Sequence, residues 1–197
     1  SRDNPYRHYY HWWPAEKGKP APRFSFFDVN GDAWKYDSLT NAYYLHIFSD
    51  KQPDLNWENP KLREEIYSMM QYWLDKGVDG FRMDAFQYAS KDTAFPKFPE
   101  GYTKEVVKYY TGPHLHNYIQ EMATKVLNKK DMLTVAEGAG SNPDDAMKFV
   151  YPEGKEFSMA YHFEGIDFGL VPGEFKVPDP NGLDLVKMKQ LYTKWDK

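Results

Sequence analysis

Arg82 and Asp84 are the first residues of this sequence that suggest chemistry. They lie two positions apart in the segment DKGVDGFRMDAF, residues 75–86. If the segment is a strand, its faces alternate, so that Gly80, Arg82 and Asp84 share one side while the other side is apolar. Because an unpaired buried charge is costly, we expect Arg82 to pair with Asp84. Such a pair is either a structural salt bridge or a means of keeping a reactive carboxylate ionised.

Glu137 is a second carboxylate at the end of a candidate strand, since it directly follows the short apolar segment Met132–Ala136. In parallel α/β proteins, functional groups gather at the carboxyl ends of strands, and neighbouring strands lie about 4.8 Å apart. Asp84 and Glu137 could therefore stand about 5 to 5.5 Å apart, which is the separation of the two carboxyl groups in retaining glycosidases. A helix cap or a loop role is the alternative for Glu137.

Helices and strands are predicted to alternate from residue 59 onward. Asn59 and Pro60 are typical of a helix start and Gly77 of a helix end, which predicts a helix over residues 60–76. Its apolar stripe consists of residues at helical spacing: Leu62, Ile66, Met69, Met70 and Trp73. The later elements are a strand at 78–84, a loop or lid with Pro96 and Pro99, a helix after Gly112 and Pro113, a strand at 132–136, a helix from Pro143, a strand within 156–165 and a helix at 185–195. This order predicts an α/β fold with a parallel sheet.

Residues 1–50 have a different composition, rich in aromatic residues, Pro, Gly and Asn. Their best strand candidate is Ala42–Phe48, and the remainder is predicted to form short strands and long loops. Trp12 and Trp13 lie in this part, and packing between domains is favoured over sugar stacking for them.

The composition restricts the classes of partner. The 197 residues are 41% hydrophobic and 27% charged, with a formal net charge of -4. The basic residues are scattered, so we expect no nucleic-acid partner and no membrane partner. There is no cysteine, which excludes disulfides and thiolate metal sites. Aromatic residues make up 18% of the chain, and tyrosine and tryptophan suit sugar recognition as well as packing.

Three segments together resemble the signature segments of the α-amylase family of glycoside hydrolases: QPDLNWENP at 52–60, DGFRMDA at 79–85 and LTVAEG at 133–138. YYLHIFSDKQPDLNW and GPHLHNYIQEM are similar to the oligo-1,6-glucosidase and α-glucosidase branch of that family. The resemblance implies that Asp84 is the nucleophile, that Arg82 keeps it ionised and oriented, and that Glu137 is the general acid and base. We also expect His162, Phe163 and Phe86 to bind substrate, with core packing as the alternative for His162 and Phe163.

The resemblance also implies a fold, namely part of a (β/α)8 TIM barrel, about strands four to six with their helices, over residues 51–197. Residues 1–50 would be the domain B that this family inserts before those strands. The family's histidine segments and third catalytic carboxylate are not found, so we expect a piece of a longer parent chain, inactive alone and self-associating through exposed sheet edges. For the location we favour the cytoplasm, with the periplasm as the alternative.

The expected activity is that of a retaining α-glucosidase acting on α-1,4 and/or α-1,6 bonds of short oligosaccharides. The alternatives are a sucrose isomerase, a trehalose synthase or a transglucosylase of the same family, a non-catalytic relative associated with transporters, or a plain carbohydrate-binding module. Ala85 stands where α-1,6-preferring relatives tend to carry valine, which favours α-1,4 or mixed linkages.

No cofactor and no metal site are expected, although calcium is possible elsewhere in the parent enzyme. His114 and His116 are two residues apart on a predicted helix, so their side chains diverge and do not chelate one ion well. Asp54 lies in a segment that contributes near an ion in calcium-dependent amylases, but a turn or cap role is favoured for it here.

Overall fold

The computed structural model describes residues 1–26, 31–98, 112–138, 142–150, 156–165, 168–171 and 177–196. The predicted loop around Pro99 lies partly outside these residues. The chain forms two compact units, and their boundary crosses the first long helix. The first unit comprises Ser1–Met70 and Tyr88–Leu115, and the second comprises Gln71–Gln87 and His116–Lys197. Among the described residues, no helix combines the length and apolarity needed to cross a bilayer.

The first unit contains a small antiparallel sheet in the order β1-β3-β2, formed by Trp12–Pro14, Ala42–Leu45 and Trp34–Asp37. β3 is shorter than the predicted Ala42–Phe48 strand. One face of this sheet carries Trp34 and Leu45, which are almost fully buried and pack with Ala33 and Phe95. Trp13 and Tyr43 pack against the same cluster, so Trp13 has a packing role within the first unit, and packing between domains stays a prediction.

A buried ion pair joins two loops of the first unit. Asp54 Oδ1 lies 2.7 Å from Lys91 Nζ, and both side chains are about nine-tenths buried. The backbone N–H of Ile47 donates to Asp54 Oδ2 at 2.6 Å. Asp54 thus stabilises a turn, as its position in the sequence indicated. It also neutralises the charge of Lys91, an ion pair that the sequence did not predict.

The second unit contains a parallel sheet in the order β4-β5-β6, which confirms the predicted α/β arrangement. β4 is Gly80–Met83, β5 is Leu133–Ala136 and β6 is Met159–Ala160. A Cβ added to Gly80 would lie 2.0 Å from the carbonyl oxygen of Leu133, so only glycine permits β4 to approach β5 this closely.

The third strand is much shorter than the predicted 156–165. Before β6, the backbone N–H of Ser158 donates both to the carbonyl of Thr134 at 3.1 Å and to the Thr134 hydroxyl at 2.9 Å. After β6, Tyr161 donates its N–H to Ala136, and the following residues turn away. The regular strand is therefore two residues long, with one backbone hydrogen bond to β5 or its end on either side of it.

Four α-helices are described: α1 at Pro60–Asp75, α2 at Leu115–Lys125, α3 at Pro143–Val150 and α4 at Leu185–Trp195. As predicted, Asn59 caps α1 by accepting from the backbone N–H of Lys61 at 3.0 Å. Gly77 follows the end of α1 with a φ of 96°, a left-handed conformation that favours glycine.

The predicted apolar stripe of α1 is wrong for Met69 and Trp73, whose exposed fractions are 50% and 48%. The buried face includes Leu62, Met70 and Leu74, spaced eight and then four residues apart, and also Tyr67. Compared with the prediction, α1 is rotated about its axis so that Tyr67 and Leu74 are buried. Met69 and Trp73 lie beside the buried face, where solvent reaches them.

Candidate active site

Asp84 and Glu137 follow directly on neighbouring parallel strands. Met83 of β4 and Ala136 of β5 are register partners, so the two acidic residues occupy the next matching pair of positions. The backbone N–H of Glu137 donates to the carbonyl of Met83 at 3.1 Å, which extends the ladder beyond the strands. The sheet therefore delivers both carboxylates to the same edge, at its carboxyl end.

Arg82 contacts both carboxylates with one guanidinium group. Its Nη1 donates to Asp84 Oδ1 at 2.6 Å, and its Nη2 lies 2.5 Å from Glu137 Oε2. The pairing with Asp84 was expected from the sequence, whereas the contact with Glu137 was not. A planar guanidinium suits this bridge because its donors are fixed in one fork.

The turn after β4 brings a backbone donor to Glu137. Ala85 has a φ of 46°, which is unusual for a residue other than glycine. In this conformation its N–H donates to Glu137 Oε2 at 3.0 Å. Oε2 thus accepts from Ala85 and contacts Arg82, so one oxygen of this carboxyl group is held from two sides.

Gln87 and Gly138 form a close contact beside this turn. Gln87 lies in a short 3-10 helix at Phe86–Tyr88 and is 5% exposed. Gly138 has a φ of 81°, and a Cβ added to it would lie 2.7 Å from Cδ and 2.8 Å from Oε1 of Gln87. Only a glycine at position 138 leaves room for this side chain, a feature that no sequence pattern indicated.

Hydrogen bonding sets the ionisation of Asp84. A hydrogen bond from the Glu137 carboxyl, and then one from Arg82, lower the pKa of Asp84 below its ordinary value, while burial opposes them more weakly. The hydrogen bond to Asp84 in turn raises the pKa of Arg82. The Asp84 side chain is 73% exposed, so its carboxylate is open to solvent in this chain.

An aromatic pair lies next to the guanidinium. The Tyr161 ring is 5.8 Å from Arg82 Cζ, and Phe163 stacks on Tyr161 with 6.3 Å between ring centroids. Tyr161 is exposed, and sequence reasoning did not single it out. Phe163, one of the three expected substrate-binding residues, is therefore connected to the charged cluster through Tyr161.

The other two expected substrate-binding residues make packing contacts. His162 packs against Trp195 and Tyr192 of α4, with ring centroids at 4.7 and 5.9 Å. Phe86 meets the Phe157 ring edge-on at 6.2 Å. Contact with substrate remains a prediction for all three residues.

The histidines near α2 make separate contacts. His114 precedes α2, contrary to the helical position expected for it, because its backbone N–H donates to the Ser90 hydroxyl ahead of the first turn. His116 Nδ1 lies 2.9 Å from Oε2 of Glu156, whose side chain is 1% exposed. Within the described residues, no group of three or more His, Cys, Asp or Glu side chains is suited to hold a metal ion.

The fold and the charged cluster are those of an α/β protein with two carboxyl groups at one edge of a parallel sheet, and comparison with known proteins gives the family. The profile of the alpha-amylase catalytic domain matches residues 1–197, and the chain belongs to this family. It is 44% identical over 204 aligned residues to an oligo-1,6-glucosidase of Parageobacillus thermoglucosidasius, covering 100% of this chain and 35% of that protein. It is 46% identical to an oligo-1,6-glucosidase of Heyndrickxia coagulans, covering 99% of this chain and 36% of that protein.

Solved structures agree on the fold but differ in activity. An isomaltulose synthase from Klebsiella sp. LX3 superposes with a TM-score of 0.90 at 38% identity, covering 100% of this chain and 35% of that one. A trehalose-6-phosphate hydrolase from Bacillus licheniformis superposes with a TM-score of 0.86 at 33% identity, covering 99% and 34%. The chain thus spans about a third of the length of the relatives it matches.

Proposed function

We propose that Arg82, Asp84 and Glu137 form the catalytic centre of a retaining α-glucosidase that acts on α-1,4 and/or α-1,6 bonds of short oligosaccharides. The observation that carries the proposal is the guanidinium of Arg82, which contacts Asp84 and Glu137 at 2.6 and 2.5 Å. It requires the two carboxyl groups to lie within a few ångströms of each other, as in a double-displacement reaction. The activity is proposed for the full-length gene product, and little or no turnover is expected from the 197 residues alone.

In the proposed first step, the ionised carboxylate of Asp84 attacks the anomeric carbon, and the bond to the glycosidic oxygen breaks. Glu137 gives its proton to that oxygen, so the leaving group departs as an alcohol. In the second step, water attacks the anomeric carbon and releases Asp84 as a carboxylate, while Glu137 takes the proton of the water. Two inversions at one carbon give retention of configuration.

The charges of the site suit these two different roles. The lowered pKa of Asp84 favours the ionised carboxylate that a nucleophile needs. Glu137 Oε2 contacts Arg82 and Ala85, so the proposed acid is held from two sides. An ionised nucleophile beside a protonated acid is the state needed at the start of the reaction.

Other activities with the same chemistry remain as alternatives. Relatives include an isomaltulose synthase and a trehalose-6-phosphate hydrolase, which differ in acceptor or substrate. Ala85 favours α-1,4 or mixed linkages, whereas several similar proteins are oligo-1,6-glucosidases. A non-catalytic relative is less well supported, because Arg82, Asp84 and Glu137 are all present and in contact.

The test is product analysis with the full-length gene product. Maltose, isomaltose and sucrose are incubated with the enzyme, and proton NMR follows the anomeric configuration of the first glucose released. The proposal expects α-glucose from maltose or isomaltose, with activity lost in Asp84→Asn and Glu137→Gln and kept in the exposed control Asp75→Asn. Initial release of β-glucose, or full activity in Asp84→Asn, would refute it. Conversion of sucrose mainly to an isomeric disaccharide would favour the isomerase alternative.

A further inference from the structure

We propose that Gln87 is a positioning residue for Glu137, and that it fixes the direction of the acid by packing against the turn at Gly138. The inference rests on the proposed function of Glu137 as general acid and base. Gln87 itself is not expected to touch the substrate, because its side chain is almost fully buried.

The contact between Gln87 and Gly138 is close enough to restrict the backbone. Atoms Cγ, Cδ and Oε1 of Gln87 all lie within 3.1 Å of the point where a Cβ of Gly138 would stand. Contacts below 3.0 Å are not tolerated by real side chains, so the Gln87 side chain occupies the space left by the missing methyl group. Because Gly138 directly follows Glu137, any shift of this turn is transmitted to the acid.

Among the described residues, the other contacts of Glu137 act on its carboxyl group and on its backbone N–H. Ala85 and Arg82 both contact Oε2, and the Glu137 N–H is held by Met83. These contacts, together with the hydrogen bond between the Glu137 carboxyl group and Asp84, act on the side chain and on the start of the residue, whereas the Gln87 contact acts at the residue that follows. Gln87 thus adds a restraint at that residue. A misplacement of about 1 Å in a catalytic group can reduce a rate by about 100-fold, so such a restraint has kinetic value.

The identity of the residue also favours positioning over simple packing. Burying an amide is costly compared with burying leucine or methionine of similar length. A residue needed only to fill space would therefore be apolar. Gln87 also follows Asp84 by only three residues. A single turn therefore connects the proposed nucleophile with the residue that is proposed to position Glu137.

The test compares substrates that need an acid with substrates that do not. In the full-length gene product, Gln87→Ala is expected to lower kcat for maltose or isomaltose by about 10- to 100-fold, which is part of the roughly 100- to 10,000-fold contribution of general acid catalysis, because the acid is misplaced but still present. With 2,4-dinitrophenyl α-glucoside, whose leaving group departs without a proton, bond cleavage should change less than about 3-fold, because a misplaced acid hardly affects it. A variant that is merely unfolded in part would lose both activities equally.

Two glycine variants provide a matched comparison. Gly138→Ala should reproduce the selective loss, since the new methyl group displaces Gln87. Gly169→Ala is the control, because Gly169 has a similar φ of 76° and nothing within 4 Å of an added Cβ. Gly138→Ala should lower Tm more than Gly169→Ala does. In a protein that already carries Gln87→Ala, Gly138→Ala should lower Tm only as much as Gly169→Ala does.

The possible results separate the two hypotheses. If the wild-type enzyme does not hydrolyse α-glucosides, the proposed function fails, and the role of Gln87 in acid catalysis fails with it. If the wild type is active but Gln87→Ala affects both substrates equally or neither, only the positioning role is overturned. If Gly138→Ala lowers Tm equally with and without Gln87, the contact itself is not significant.

Discussion

The backbone N–H of Ala85 donates to the carboxylate of Glu137 at 3.0 Å, although the two residues are 52 positions apart in the sequence. The bond is possible because Ala85 adopts a left-handed conformation directly after β4. A local backbone feature beside one carboxylate therefore helps to orient the other. Strain of this kind is often found at functional sites, where the surrounding structure enforces it.

Arg82→Lys should change the pH profile of the enzyme. A lysine has one ammonium group and cannot reproduce the two-armed contact with Asp84 and Glu137. Arg82 lowers the pKa of Asp84, second only to the hydrogen bond from Glu137, so its loss raises that pKa. The nucleophile must be ionised, and activity falls as the pH drops through this pKa. The acid limb of kcat/KM is therefore expected to move to higher pH in the full-length enzyme, together with a loss of kcat.

The outcome that contradicts this prediction is an unchanged acid limb in Arg82→Lys. Arg2→Lys serves as the control, because Arg2 donates its Nε–H to the Thr40 carbonyl in the first unit and is not part of the site. It should leave the pH profile of kcat/KM as it is.

The order of elements was predictable from the sequence, because helix signals are local. Asn59 at the start of α1 and Gly77 after its end were identified correctly, and so was α4 at residues 185–195. The third strand was too long in the prediction, since alternating residue types do not reveal where the neighbouring strand stops pairing. Trp73 was predicted to be buried, but its side chain is exposed. A stripe of apolar residues defines the rotation of a helix about its axis only approximately.

The charged cluster was predictable in part. Strand alternation placed Arg82 beside Asp84, and strand order placed Glu137 nearby. The contacts of Ala85 and Gln87 could not be inferred, because both depend on positive φ values in turns that join residues distant in sequence. No pattern of residue types encodes such contacts unless the turn conformation is already known.

Lys91→Met should destabilise the protein strongly. The change removes a buried ammonium group and leaves the Asp54 carboxylate buried without its ion-pair partner. Breaking a buried pair in this way costs about 3–5 kcal/mol of the free energy of unfolding. Urea unfolding followed by tryptophan fluorescence measures the effect. The double variant Lys91→Met with Asp54→Asn should recover part of the loss, since no uncompensated charge remains.

An exposed pair in the same unit provides the matched control. Lys35 and Asp50 form an ion pair whose side chains are 49% and 41% exposed. Because solvent screens an exposed pair, Lys35→Met should change the free energy of unfolding far less than Lys91→Met does. Equal losses in Lys35→Met and Lys91→Met would show that burial does not determine the strength of the Lys91 pair.

The 197-residue chain is expected to self-associate when it is expressed alone. Among the described residues, β4 and β6 each pair only with β5, so the outer edges of both strands offer unpaired backbone groups. Unprotected edges of this kind favour pairing with another chain. Light scattering coupled to size exclusion should give a mass above that of a monomer, and it should rise with concentration. A monodisperse monomer over a wide concentration range would contradict the prediction.

His11 should make the stability of the first unit depend on pH. Burial, and then the nearby charge of Lys91, lower the pKa of His11 to about 3, against a weaker opposing hydrogen bond at Leu55. In the unfolded chain a histidine titrates near 6.5, so between about pH 6.5 and 3 the unfolded state binds more protons than the folded state. The contribution of neutral His11 is therefore complete above about pH 6.5 and is lost as the pH falls. At pH 4.5, two units below the pKa of histidine in the unfolded chain, the expected loss in the free energy of unfolding is about 2–3 kcal/mol.

Urea unfolding at pH 4.5 and 7.5 should show this difference in the wild type and a smaller one in His11→Ile. The exposed control His8→Gln should behave like the wild type, whereas an equal pH dependence in His11→Ile would exclude His11 as its source.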